Sequence, residues 1–247
     1  MKFGFYVPHR GALASPDAIS TIAEHGEALG YGYALVADHI VVPRRIRSDY
    51  PYAKSGAFAE AKTTDGDEIV VPTGSEHGAS LEQLSVMAYL AAVTTKLRLL
   101  SSVLVVPHRP ATVAAKSLAT IDVLSKGRVT VGCGAGWLRE EFVAIGAPDF
   151  DARGEVTNEY LAAFKELWTA DRPTFSGRYV QFSDISFLPK PVQRPHPPVW
   201  VGGESPAAMR RAARLGDGWC PIGANPRYPL DTPERVRESI KMLHDLA

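Results

Sequence analysis

Short apolar segments alternate with helical segments along most of the chain, and this alternation restricts the fold more than any other feature. Apolar runs at residues 2–7, 33–37, 97–106, 128–133, 199–201 and 218–220 predict six strands. Three of the helical segments begin at Ser15-Pro16, Ser205-Pro206 and Thr232-Pro233, which are typical helix starts. Because strands joined by helices pair in parallel, the sequence predicts an α/β fold with a parallel sheet.

Two architectures accommodate such a sheet. A (β/α)8 TIM barrel needs eight strand–helix units and typically about 250 residues, whereas this chain of 247 residues shows six units. An open doubly wound sheet needs no further strands. The unit count leaves both open, and in the barrel the chain is expected to lack the last one or two strand–helix units.

Composition excludes several classes of protein. The chain is 45% hydrophobic, and its 27 basic residues balance 27 acidic ones, so no bulk charge favours nucleic acid or an anionic membrane. The longest apolar run, residues 86–93, is too short to span a bilayer, and no signal peptide pattern is present. Two cysteines, Cys133 and Cys220, provide no disulfide framework, and no metal-ligand spacing occurs. We expect a cytoplasmic protein with a small-molecule substrate and no metal.

We interpret residues 1–247 as one domain with two insertions. Residues 42–78 fit neither a strand nor a helix pattern and follow the second strand. They are therefore expected to form a lid-like loop above the carboxyl ends of the strands, where α/β folds bind ligands. Residues 174–198 contain Ser176-Gly177 and then five prolines, which predict an inserted hairpin followed by an extended linker.

Candidate functional residues follow the strands. Asp38 and His39 close the second strand, where a histidine can exchange a proton with a ligand at neutral pH, although Asp38 can also merely cap a turn. Glycine-rich turns after the fourth and fifth strands can hold a phosphate, although glycine clusters also occur in ordinary tight turns. Their residues are Gly134, Ala135, Gly136 and Trp137 in the first turn, and Gly202, Gly203 and Ser205 in the second.

In order and spacing, these motifs resemble the luciferase-like monooxygenase superfamily, in particular its branch of oxidoreductases that use the deazaflavin coenzyme F420. The resemblance covers nearly the whole chain and is most specific in residues 189–203 (PKPVQRPHPPVWVGG), followed by LGDGW at 215–219. It implies a luciferase-like TIM barrel with a flavin-type ring across the carboxyl ends of the strands.

The resemblance also implies roles for individual residues. Ser102 and Val103 would form a cis peptide behind the ring, and the two glycine-rich turns would hold the tail phosphate. Asp38 and His39 would lie at the reactive edge, with Asp38 orienting His39. Trp137 replaces an acidic proton donor of some relatives, so His39 is the first candidate for that role.

The sequence thus predicts hydride transfer between F420 and a carbonyl, an alcohol or an activated double bond, with the lid-like loop excluding water. An FMN-dependent monooxygenase is the nearest alternative, and a non-catalytic flavin-binding protein is an alternative of another class. Because dimers are common in this family, a homodimer is expected.

Overall fold

A computed structural model of the protein describes residues 1–55, 58, 63–65, 68–71 and 79–247. The strands are β1 (Gly4–Tyr6), β2 (Tyr33–Val36), β3 (Arg45–Ile46), β4 (Thr63–Asp65), β5 (Glu68–Val70), β6 (Arg98–Val105), β7 (Val129–Gly134), β8 (Phe175–Ser176), β9 (Gln181–Phe182), β10 (Val199–Gly202) and β11 (Gly218–Cys220). The helices are α1 (Pro16–Ala28), α2 (Gln83–Val93), α3 (Ala111–Leu124), α4 (Arg139–Ala144), α5 (Arg153–Thr169), α6 (Pro206–Leu215) and α7 (Pro233–Leu246).

The main sheet is parallel and has the strand order β1-β2-β6-β7-β10-β11. This order follows the chain without a reversal, whereas a doubly wound sheet reverses its order at a switch point. The winding is therefore that of a barrel, and the open doubly wound alternative is excluded. The predicted α/β fold is confirmed as a parallel half-barrel, while closure to eight strands stays a prediction.

The core lies between this sheet and the helices that follow its strands. Leu99, Val131 and Val201 from the sheet are fully buried together with Leu118 of α3 and Trp168 of α5. Strands that are apolar on both faces pack in this way because helices cover one side and the barrel interior covers the other. Within the described residues, no helix has the length and apolar character needed to cross a membrane.

All three predicted helix starts are confirmed. The hydroxyl oxygens of Ser15, Ser205 and Thr232 accept hydrogen bonds from the backbone N–H three residues later, at 3.2–3.3 Å. Each of these caps satisfies a backbone donor that has no partner within its own helix.

Strand β6 is distorted at its paired serines. The register with β7 shifts between Ser101 and Leu104, and the peptide bond between Ser102 and Val103 is cis, as the family resemblance implies. The Ser101 hydroxyl donates to the carbonyl oxygen of Gly132 at 2.9 Å, on the neighbouring strand. The distortion thus lies in the middle of the sheet, next to the strand that carries the first glycine-rich turn.

Residues 42–78 contain regular structure that the sequence pattern did not reveal. Strands β3, β5 and β4 form a small antiparallel sheet, and a local core joins Ile46, Phe58 and Val71 to Leu138. Strands of two or three residues are too short to show a period, which is why the pattern missed them. Residues 56, 57, 59–62, 66, 67 and 72–78 of this segment lie outside the described residues. Farther along, β8 and β9 form a two-stranded antiparallel hairpin.

Candidate functional site

A cavity of about 890 Å³ opens at the carboxyl ends of the parallel strands. Its volume lies in the range typical of cofactor and substrate pockets. All eleven site residues predicted from the sequence lie on its wall: Asp38, His39, Ser102, Val103, Gly134, Ala135, Gly136, Trp137, Gly202, Gly203 and Ser205. The two glycine-rich turns therefore face one shared space.

The floor of this cavity explains two of the glycines. A Cβ on Gly134 would lie 2.9 Å from Val103 Cγ2, and a Cβ on Gly202 would lie 2.9 Å from Val103 Cγ1. Real Cβ atoms do not approach other carbon atoms so closely, and the branched Val103 side chain is stiff. Gly134 and Gly202 thus make room for Val103, a packing role that differs from the phosphate contact predicted for them.

Gly136 and Trp137 serve different parts of the site. Gly136 has a φ of 85°, and a Cβ there would lie 2.7 Å from the Phe142 ring, so both backbone conformation and space require glycine. The Trp137 ring lies 5.1 Å from the rings of Tyr50 and Phe58. Trp137 therefore packs against the 42–71 segment beside the cavity, whereas the sequence predicted a contact with the tail phosphate.

Two arginines that the sequence reasoning missed lie on the cavity wall. The Arg153 guanidinium donates to the carbonyl oxygens of Gly136 and Phe150, at 3.2 and 2.9 Å. The Arg211 guanidinium donates to Asn158 Oδ1 at 2.6 Å and to the Gly154 carbonyl oxygen at 3.0 Å. Burial lowers the pKa of both guanidinium groups.

Neutral oxygens satisfy these donors but do not neutralise their charge. In the part of the chain that the structure describes, no carboxylate forms an ion pair with Arg153 or Arg211. Arg211 is buried and Arg153 is half-buried, and the nearby carboxylate of Asp151 offsets part of the Arg153 charge. A buried cation without an ion-pair partner stabilises a bound anion, and guanidinium geometry suits phosphate. Arg153 is the first residue of α5 and Arg211 lies inside α6, and no local sequence pattern distinguishes either from a surface arginine.

The helices after the two glycine-rich turns differ in charge. The start of α6 contributes Ala207 and Ala208 to the cavity wall. Pro206 has no N–H and the Ala208 N–H donates to Ser205 Oγ, so the helix dipole and the Ala207 N–H are what favours an anion there. The first turn of α4 instead carries the carboxylates of Glu140 and Glu141, which repel an anion. Of these two helix starts, only that of α6 has a charge distribution that suits an anion.

His39 is held by a buried carboxylate from α4. Its Nδ1 lies 2.8 Å from Glu141 Oε2, and Glu141 Oε1 accepts hydrogen bonds from the backbone N–H groups of Ile40 and Val41 at 2.8 and 3.2 Å. Burial raises the pKa of Glu141, but the hydrogen bonds and the neighbouring histidines outweigh burial and lower it overall. An ionised carboxylate can only accept, so Nδ1 of His39 carries the proton and Nε2 is the nitrogen that can exchange a proton.

Asp38 has a different partner from the one predicted. Arg109 donates to both of its carboxylate oxygens at 2.8 Å, and the Val105 backbone N–H donates to Oδ2 at 2.9 Å. The Asp38 side chain is fully buried in this arrangement. The expectation that Asp38 orients His39 is therefore corrected, because Glu141 makes that contact and Asp38 holds Arg109 and the end of β6.

The thiol of Cys133 is inert in this fold. It is fully buried in β7, and burial raises its pKa to about 12. A thiol that stays protonated at neutral pH is a poor nucleophile. Cys133 is thus a small core residue.

Comparisons with known proteins agree with this geometry. A family model described as luciferase-like monooxygenase matches residues 1–242. The FMNH2-dependent dimethylsulfone monooxygenase of Pseudomonas putida is 41% identical over 138 residues, which cover 55% of this chain and 38% of that protein.

Solved structures give the same fold. Monooxygenase RslO1 from Streptomyces bottropensis has a TM-score of 0.74 at 25% identity and covers 100% of this chain and 66% of its own. An F420-dependent secondary alcohol dehydrogenase in complex with an F420–acetone adduct has a TM-score of 0.70 at 20% identity, covering 98% of this chain and 64% of its own. The chain thus spans 38–66% of the lengths of these three proteins. Because the family model matches nearly every residue, the chain belongs to the luciferase-like monooxygenase family.

Proposed function

We propose that the protein is a flavin-dependent oxidoreductase that works with reduced FMN as a monooxygenase. The observation that carries this proposal is that one cavity holds both a His39–Glu141 pair and two arginines, Arg153 and Arg211, whose guanidinium groups form no ion pair among the described residues. The first suits a phosphate group, and the second suits proton exchange. The identity of 41% to an FMNH2-dependent enzyme supports FMN over the predicted deazaflavin.

The residues present fit a phosphorylated flavin. Arg153, Arg211 and the start of α6 would hold the phosphate, since together they supply two positive charges and the backbone N–H of Ala207. The ring would lie against Val103, whose side chain fills the space left by Gly134 and Gly202. An apolar floor beside a few polar groups is the usual composition of a cofactor pocket.

Bound in its reduced form, FMN supplies the two electrons with which molecular oxygen is used to oxygenate an organic substrate. In this proposal His39 exchanges a proton with the bound ligand through Nε2. Glu141 keeps the imidazole in one tautomer, with the proton on Nδ1. His39 is thus the candidate catalytic residue, and Glu141 is its positioning residue.

The aromatic side of the cavity would limit the access of water. Tyr50, Tyr52 and Phe58 lie on its wall, and the Tyr50 ring lies 5.6 and 5.4 Å from the rings of the other two. Exclusion of water strengthens the electrostatic interactions of His39 and protects reactive species. In this proposal Tyr50, Tyr52 and Phe58, from the lid-like loop predicted at 42–78, cover the bound ring.

The phosphate site can be tested by comparing FMN with riboflavin, which lacks the phosphate. We expect Arg211→Gln to weaken FMN binding about 10- to 100-fold, because a hydrogen bond to a charged group contributes about 1.5–3 kcal/mol. Riboflavin binding should be unchanged. Arg210→Gln is the matched control, since Arg210 is the exposed neighbour on the same helix. Fluorescence quenching measures both affinities, and equal losses for both ligands would contradict the phosphate assignment.

Turnover distinguishes the remaining functions. The purified protein is supplied with reduced FMN, air and dimethyl sulfone or related sulfones, and the loss of substrate is measured. Tight binding of F420 without binding of FMN would overturn the choice of cofactor and favour the hydride transfer predicted from the sequence. FMN binding that persists in His39→Ala, with no substrate converted by the wild type, would favour a non-catalytic flavin-binding protein.

A further inference from the structure

His9 is a buried histidine whose two ring nitrogens have different surroundings. The residue follows β1, is 5% exposed and lies on the wall of the cavity. Its Nδ1 lies 3.2 Å from the carbonyl oxygen of Val7. Because a carbonyl oxygen can only accept a hydrogen bond, Nδ1 carries the proton, and Nε2 of the neutral ring keeps its lone pair.

Nε2 of His9 has no partner and is still accessible. No described residue forms a hydrogen bond with it. Among the described residues, the inaccessible side-chain nitrogens and oxygens without a hydrogen bond belong to Gln83, His108 and Glu204, and Nε2 of His9 is not one of them. Since the rest of the residue is buried and its ring borders the cavity, the accessible nitrogen faces the cavity.

Hydrogen bonds hold the backbone of His9 on both sides. Its N–H donates to the carbonyl oxygen of Val7 at 2.9 Å, and its own carbonyl oxygen accepts from the Leu81 N–H at 2.8 Å. Together with the Nδ1 contact, these bonds fix the direction of the Nε2 lone pair. An acceptor that is already held in place loses little conformational entropy when a ligand binds.

The ring of His9 is neutral at pH 7. Burial lowers its pKa, and Arg10 and His39 act in the same direction. The hydrogen bond to Val7 and the charge of Asp38 oppose this shift without reversing it. With its proton on Nδ1, the neutral imidazole offers the cavity only an acceptor.

His39 presents a second acceptor at the same end of the cavity. Its Nδ1 carries the proton that Glu141 accepts, so its Nε2 also has a lone pair. The two histidines follow β1 and β2, which are neighbouring strands. Strands β2, β6 and β7 lie between β1 and β10, the strand that precedes α6. His9 is therefore at the end of the cavity away from α6 and Arg211.

We propose that His9 determines substrate specificity: its Nε2 accepts a hydrogen bond from an O–H or N–H group of the organic substrate. This inference rests on the proposed function, because it takes the ligand at this end of the cavity to be the substrate that is oxygenated. A site built around an acceptor discriminates against a ligand without a donor, since the lone pair then loses water and gains no partner. Dimethyl sulfone has no O–H or N–H and should therefore bind less well than an analogue of equal size that has one.

Methanesulfonamide is the matched probe, because it has the size of dimethyl sulfone with an NH2 group in place of one methyl. Each compound is titrated into wild-type protein with ¹⁵N-labelled histidine and excess oxidised FMN, and the ring nitrogens are followed by NMR. We expect methanesulfonamide to shift the His9 Nε2 signal and to bind about 3- to 10-fold more tightly than dimethyl sulfone. His25, which is exposed on α1, should keep its signals. Equal affinities, or an unmoved Nε2 signal, would overturn the proposal.

The variant His9→Asn separates the ligand contact from the bond to Val7. Asparagine lacks a counterpart of Nε2 but has a side-chain N–H donor near the position of Nδ1. We expect the two probes to bind this variant with affinities equal within about twofold, while the affinity for FMN is unchanged. His9→Gln, whose longer side chain carries an acceptor oxygen, should recover part of the preference. A purely structural role would lower thermal stability in both variants and leave the preference as in the wild type, which would contradict the proposal.

The outcomes separate this inference from the proposed function. If FMN binds and methanesulfonamide is not preferred, the role of His9 is refuted and the cofactor stands. If His9 confers the preference and FMN does not bind, the proposed cofactor is wrong and the contact at His9 stands.

Discussion

Replacement of Arg109 by methionine should be among the most damaging single changes in the site. Arg109 forms a two-point ion pair with Asp38 at 2.8 Å, in which the aspartate side chain is fully buried and the arginine 10% exposed. Glu82, which is 39% exposed, is the second partner of Arg109. Burial opposes the charge of Arg109, but Asp38 and Glu82 outweigh it and raise its pKa.

The loss of stability expected for Arg109→Met follows from the buried carboxylate that this substitution leaves without a cation. Asp38 keeps only the Val105 backbone N–H at 2.9 Å, so a nearly uncompensated carboxylate remains buried. Breaking a buried pair in this way costs about 3–5 kcal/mol, against about 5–15 kcal/mol for the whole fold. In the double variant with Asp38→Asn the charge is gone, and the amide oxygen still accepts from Val105. The double variant should therefore be more stable than Arg109→Met alone, by about 2 kcal/mol or more.

Urea unfolding, followed by circular dichroism, gives the free energy of unfolding for the wild type, both single variants and the double variant. Strict additivity of the two substitutions would refute the ion pair as the source of the effect. So would a cost below about 1 kcal/mol for Arg109→Met, which is the level of an exposed pair.

Three further predictions concern the site and its support. Glu141→Gln should reduce turnover about 10- to 100-fold, because a charge-assisted hydrogen bond of about 1.5–3 kcal/mol to His39 is lost. The affinity for FMN should change by no more than about twofold. Steady-state kinetics and FMN titration measure the two quantities, and equal losses in both would argue against this role of Glu141. Gly132→Ala should lower thermal stability more than Gly134→Ala. A Cβ added at Gly132 would lie 2.1 Å from the Ser101 carbonyl oxygen, whereas a Cβ added at Gly134 would lie 2.9 Å from a methyl group of Val103. The reverse order of stabilities would contradict this packing. Burial raises the pKa of Glu27, but hydrogen bonds from the 95–97 backbone outweigh it and lower the pKa from 4.5 to about 2. The stabilisation by Glu27 is therefore complete above pH 4.5 and is lost as the pH falls toward 2. Glu27→Gln should lower the free energy of unfolding by about 1–2 kcal/mol at pH 7 and by progressively less below pH 4.5. A loss of stability that does not depend on pH would exclude this explanation.

The candidate site could be located from the sequence because its backbone is contributed by strand ends. Asp38, Ser102, Gly134 and Gly202 each lie at or next to a strand terminus or distortion, and parallel strands bring such points to one edge. Their positions on the cavity wall were therefore predictable. What each side chain contacts was not, as Val103 shows by occupying the space that two glycines leave free.

The ion pairs were beyond sequence reasoning for a related reason. His39 and Glu141 are 102 residues apart, and Asp38 and Arg109 are 71 residues apart. Asp38 precedes His39 in the chain, so the sequence suggested Asp38 as the hydrogen-bond partner of His39. Successive residues at a strand end point in different directions, so the neighbour in sequence is not the neighbour in space.

The alternation of strands and helices, the helix caps and the parallel pairing of the main strands could be predicted from the sequence alone, because periodicity, capping and crossover length are local properties of the chain. The tertiary structure decided the order of the strands in the sheet, which carboxylate meets which cation and which arginines on the cavity wall form no ion pair among the described residues. These features depend on burial and on distances between residues that are remote in the chain. Ion pairs and hydrogen bonds contribute most strongly to the free energy where water is excluded, and burial is a property of the folded structure.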